Sequence, residues 1–137
     1  MSEAVAAIDA FERGDIDNAS FHHRDHIRMA WSFLRELGFP EGALRFDAAL
    51  RRFVAKAGKP QLYHATITWA YLVTIHDRIA RRGEETWDDF AADNQELFTW
   101  KPSLLDSWYR AETLGSEHAR RVFVLPDAHC VAPPLKY

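Results

Sequence analysis

The sequence predicts an all-α fold: a compact up-down bundle of four main helices, then short C-terminal helices and an extended tail. Two observations carry that prediction. Apolar residues recur at helical spacing through the first two-thirds of the chain, and the breakers Gly14, Gly38 to Pro40, Gly58 to Pro60 and Gly83 cut that region into four stretches.

Helix 1 runs from about Ser2, an N-cap residue type, to Arg13, with Ala4, Val5, Ile8 and Phe11 on its apolar side. Helix 2 begins between Ser20 and His22 and ends at Leu37, where Gly38 supplies the residue that stops it. Helix 3 spans about Pro40 to Ala57, carrying Ala43, Phe46, Leu50, Phe53, Val54 and Ala57 at helical spacing. Helix 4, about Gln61 to Arg82, is apolar around most of its circumference, as suits a central helix. Its β-branched residues (Thr66, Ile67, Thr68, Val73, Thr74, Ile75) argue for a strand, but the unbroken length argues more strongly against one. Beyond Gly83, Thr86-Trp87-Asp88-Asp89 resembles a capping box that opens a short helix to about Asn94. Short helices follow at Ser103 to Tyr109 and Ser116 to Arg121. The division expected is a helical domain over 1–125 and an extended tail over 126–137, marked by Pro126 and Pro133-Pro134.

Composition narrows the function classes. A chain of 137 residues suits one domain with one core. A net charge of -3 argues against a general nucleic-acid binder, and the Arg pairs 51/52, 81/82 and 120/121 read as solvated faces. The single cysteine, Cys130, allows no intrachain disulfide and no cysteine metal cluster. No apolar run approaches the ~18 residues of a membrane span, and the acidic, amphipathic N-terminus lacks the features of a signal peptide. A cytoplasmic location is the expectation. No membrane or nucleic-acid partner is expected, and oligomeric state is left open.

The seven histidines are informative by placement. On helix 2, His23 and His26 share a face with Ile27, Ala30, Leu34 and Leu37, while Arg24, Asp25, Arg28, Ser32 and Glu36 lie opposite; His22 is at the margin. His64 is expected in the first turn of helix 4, on a stripe with Thr68, Tyr71 and Ile75. Short connections make successive helices antiparallel, so helices 2 and 4 run parallel and their starts share one end of the bundle. His23, His26 and His64 then converge as a three-nitrogen site for a divalent transition metal, with a position open for water or substrate. Helix N-termini disfavour imidazolium and so favour the neutral, ligating ring. Glu12 is a carboxylate at the same end, and Tyr71 is a candidate catalytic proton donor. Singly, each histidine reads more naturally as a hydrogen-bonded core residue, and Tyr71 as core; only the convergence lifts the metal reading. His76 lies about 18 Å beyond His64 along the helix and reads as structural. His118 and His129 have no assignable place. Lys101, beside Trp100, reads as a snorkelling surface lysine.

The stretches Phe21-His22-His23-Arg24-Asp25-His26-Ile27-Arg28-Met29-Ala30-Trp31 and Tyr63-His64-Ala65-Thr66-Ile67-Thr68 resemble a group of small uncharacterised bacterial proteins. The likeness continues through Trp100-Lys101-Pro102-Ser103 and Arg121-Val122-Phe123-Val124-Leu125-Pro126-Asp127. The resemblance implies a shared fold and no settled activity. Ala65 departs from it, since that group carries Glu at this position.

Three functions are therefore in contention. The first is a metal-dependent enzyme acting on a small molecule, with Zn, Fe, Cu and Ni undistinguished by nitrogen ligation. The second is a non-catalytic helical module that binds a ligand or protein, its histidines purely structural. The third is a metal carrier or sensor.

Overall fold

Local chemistry at the helix starts agrees with the sequence. In the computed structural model, which describes residues 2–128, the Ser2 hydroxyl accepts the Val5 N–H at 3.1 Å. Thr86 takes the Asp89 N–H at 3.2 Å and Ser116 the Ala119 N–H at 3.1 Å. Each satisfies a donor that the first helical turn leaves without an internal partner. Seven α-helices follow among the described residues: α1 (Glu3–Arg13), α2 (His23–Leu37), α3 (Glu41–Lys56), α4 (Ala65–Arg82), α5 (Trp87–Asp93), α6 (Ala111–Leu114) and α7 (Glu117–Arg121). Single 3₁₀ turns lie at Asn18–Ser20, Pro60–Leu62, Gln95–Phe98 and Leu104–Ser107. Among these residues there is no strand, only one isolated bridge between Trp100 and Ser103. The chain is all-α, and no described helix is long and apolar enough to cross a membrane.

Two element boundaries differ from expectation. Helix 4 starts at Ala65, not near Gln61, because Pro60–Leu62 turns separately and His64 is itself the N-cap. The segment expected to be helical at Ser103 to Tyr109 is a 3₁₀ turn with α6 beyond it.

Phenylalanines hold the first three helices together. Phe11 of α1 stacks on Phe46 of α3 at 5.7 Å and on Phe21 at 5.3 Å, and meets Phe33 of α2 edge-on at 6.1 Å. Such pairs add to the stabilisation from simple area burial. The backbones of α2 and α3 nearly touch at Gly42, where a Cβ would stand 2.5 Å from the Phe33 carbonyl oxygen. Glycine is required there by proximity. Helix α4 packs on α2: His23 lies against Tyr71, and Phe39, just past the end of α2, stacks on His76 at 4.3 Å.

Residues 122–128, which form no helix, return to the helices. The Thr66 hydroxyl donates to the Val122 carbonyl at 2.8 Å and accepts the Val124 N–H at 3.1 Å. The Tyr109 hydroxyl donates to the Val124 carbonyl at 2.6 Å, and the Asp127 and Ala128 N–H groups both donate to the Trp108 carbonyl. The rest of the expected tail, with His129 and Cys130, lies outside the described residues.

Candidate functional site

His64 shows how local sequence decides a histidine's role. Placed one residue ahead of α4, its Nδ1 accepts the Ile67 N–H at 3.1 Å, which requires that nitrogen to be unprotonated. Nε2 then carries the proton and donates to the Leu114 carbonyl at 2.7 Å. The ring is buried and both nitrogens are committed to backbone. It caps α4 and ties it to α6, and has no lone pair left for a ligand.

His23 is half-committed. Its Nε2 donates to the Leu97 carbonyl at 2.8 Å, leaving Nδ1 as an unprotonated nitrogen without a partner among the described residues. The ring meets Tyr71 edge-on at 5.4 Å and Trp100 at 4.8 Å. Burial lowers its pKa against the opposing effect of the Leu97 bond. One turn on, His26 sits among Phe21 and Phe53, at 4.4 and 6.4 Å between ring centres. Neither of its nitrogens has a partner among the described residues. Burial, reinforced by His23 and opposed by Asp25, depresses its pKa to about 4. Both rings are neutral at physiological pH.

Tyr71 completes this corner. Its hydroxyl is buried and makes no hydrogen bond of good geometry, although the Ser103 side chain lies near enough to act on it. Burial raises its pKa, Ser103 opposes that shift and Asp106 adds to it, so the phenol keeps its proton at neutral pH. A buried hydroxyl without a partner loses the hydrogen bonds it makes in water, so its position calls for a reason.

The structure sets Tyr71 against His23, with His26 one turn further along α2, and commits His64 to the backbone. Seven residues, about 10 Å of helix axis, separate His64 from the Tyr71 position that faces His23. Among the described residues no three His, Cys, Asp or Glu side chains are grouped so as to hold a metal. Glu12 is held elsewhere by Arg45, which donates to both of its carboxylate oxygens at 2.5 and 3.0 Å. His76 stacks on Phe39, while His22 and His118 are exposed.

Two neighbours of His23 were missed by sequence reasoning, Trp100 and the Leu97 carbonyl. They come from a segment without helical periodicity, and the signal available for Trp100 was its place in the Trp100-Lys101-Pro102-Ser103 stretch. Two clefts are present, the first bordering His26 through Phe21. One, of about 290 Å³, is lined by Phe21, Asp25, Arg28 and Ser32 among others; the second, of about 380 Å³, by Arg51, Trp69, Arg121 and Phe123 among others. Compared with family models, with curated proteins and with solved structures, the chain has no match.

Proposed function

We propose that the chain is a metal-dependent enzyme acting on a small molecule at the corner formed by His23, His26 and Tyr71. One observation carries this reading: two neutral imidazoles a helical turn apart keep nitrogens with no partner among the described residues, and His23 lies against the buried Tyr71 phenol. Nitrogens in that state are the form that binds a divalent transition metal, and the Leu97 bond fixes the His23 tautomer as outer hydrogen bonds do around metal-bound histidines. His23 and His26 are the ligands on this reading, and His64 is not. A metal there would supply a Lewis acid and an acidified water. Tyr71, protonated at neutral pH, is the proton donor, and Trp100 forms the exposed wall of the corner.

A second reading, a ligand- or protein-binding module with structural histidines, is favoured by one specific observation. The His64 ring is used wholly by the backbone. Metal content separates the two. Protein purified without a histidine tag and reconstituted should hold metal stoichiometrically, and so should His64→Asn. His23→Ala and His26→Ala should each lose most of it. Wild-type protein that stays metal-free after reconstitution would leave the structural reading in its place.

A further inference from the structure

Opposite the histidine corner, α2 presents a different surface. Arg24, Arg28, Trp31 and Arg35 follow one another at intervals of four, three and four residues, which places them along one stripe of the helix. Each guanidinium lies over a ring: Arg24 over Phe98 at 4.5 Å and Trp87 at 5.9 Å, Arg28 over Trp87 at 5.5 Å, and Arg35 over Trp31 at 5.6 Å. These contacts hold the guanidinium groups in place by cation–π attraction.

The three arginines differ from most others in the chain. Arg45, Arg51, Arg78, Arg81 and Arg82 are each paired with a carboxylate: Glu12, Asp47, Glu96, Asp77 and Glu85 respectively. Among the described residues Arg24, Arg28 and Arg35 have neither an ion pair nor a hydrogen bond from the side chain. Two N–H groups on the same stripe, Trp31 Nε1 and Arg35 Nε, are buried without an acceptor among the described residues. Guanidinium and indole nitrogens only donate, so the stripe is a row of donors and positive charge lacking acceptors.

We infer that this arginine–aromatic stripe is a docking surface for an acidic peptide segment of a partner protein, independent of the proposed metal corner. Carboxylates match the fork geometry of guanidinium and supply acceptors for the exposed Arg24 and Arg28 side chains. The stripe spans about 16 Å of helix axis, enough for three turns of a partner helix. Discrete carboxylates fit it better than a nucleic-acid backbone does. Exposed Asp88 and Asp89 follow Trp87 directly, and Asp25 adjoins Arg24. A continuous row of phosphates would meet those acids, whereas a peptide can place its charges between them.

The test is fluorescence anisotropy with a labelled helical peptide whose glutamates repeat at positions i, i+4 and i+11, and with single-stranded DNA of equal charge. The wild-type chain should bind the peptide more tightly than the DNA, and raised salt should weaken that binding. Arg24→Gln/Arg28→Gln/Arg35→Gln should weaken it by about tenfold, as the loss of three exposed pairs implies. Arg13→Gln/Arg81→Gln/Arg121→Gln removes the same charge elsewhere and should change binding less than about twofold, because distant exposed charges are screened. Arg24→Lys/Arg28→Lys/Arg35→Lys keeps charge and stems, so it guards against misfolding in the Gln variant. It should still bind more weakly than wild type, since ammonium lacks the planar fork. Absence of wild-type binding, equal losses from the stripe and control variants, full binding by the Lys variant, or tighter binding of DNA would each overturn the inference.

Discussion

At the scale of single residues, the same side-chain type does different work in this chain because its hydrogen-bond surroundings differ. His64 is a cap and a clamp. His64→Ala removes an N-cap and leaves the half-buried Leu114 carbonyl without its donor, together about 1–3 kcal/mol of stability. His64→Asn keeps the capping oxygen and should recover about 1 kcal/mol of that in urea unfolding. Equal losses from both variants would show that the cap contributes nothing. His26 is a buried neutral base, and its effect on stability is set by pH. Its pKa is about 4 in the folded chain against an ordinary 6.5. Between those values the unfolded chain takes up a proton that the folded chain refuses, so stability falls as pH drops from 6.5 to 4. The loss levels off below that at roughly 3 kcal/mol. The lowered pKa of His23 adds in the same direction. His26→Leu should flatten much of the decline, as measured by melting temperature against pH; an unchanged slope would count against the buried neutral ring.

At the scale of elements, the close approach of α2 and α3 rests on Gly42. A methyl group there meets the Phe33 carbonyl, which is backbone and cannot swing aside, so the helices must separate. Gly42→Ala should destabilise by about 1–3 kcal/mol despite alanine's better helix propensity, whereas a gain in chemical unfolding would refute the close contact. The legible parts of the sequence were those with strong local signals. Ser2, Thr86 and Ser116 were readable as helix starts because their hydroxyls serve the adjacent backbone, and Gly14 and Gly38 as stops. The start of α4 was not, because the apolar run continues back through Leu62 and Tyr63 although Pro60–Leu62 forms its own turn. That difference moved His64 from the first turn to the cap. α6 and the 3₁₀ turns are too short for periodicity to show. His23 and His26 were placed correctly on the inner side of α2, because helical spacing fixes their direction. The Leu97 carbonyl and the ring of Trp100, more than seventy residues away, could not be seen from spacing.

At the scale of the whole molecule, α2 divides the two proposed activities between its faces. The inner side carries His23 and His26 against α3, α4 and the loop near Trp100; the outer stripe carries Arg24, Arg28 and Arg35 over aromatic rings. The return of residues 122–128 onto Thr66 and Trp108 ties the C-terminal helices to α4, so this corner is built on a closed framework. Thermal unfolding with and without a chelator tests the metal claim most directly. A ligand that binds only the folded state, at a thousand times its dissociation constant, stabilises by about 4 kcal/mol. At about 2–4 °C per kcal/mol, chelation should lower the melting temperature of the metal-loaded wild type by roughly 8–16 °C. His64→Asn, less stable throughout, should show the same chelator-induced drop, and His23→Ala/His26→Ala should show none. A wild-type melting temperature unmoved by the chelator would contradict the metal centre.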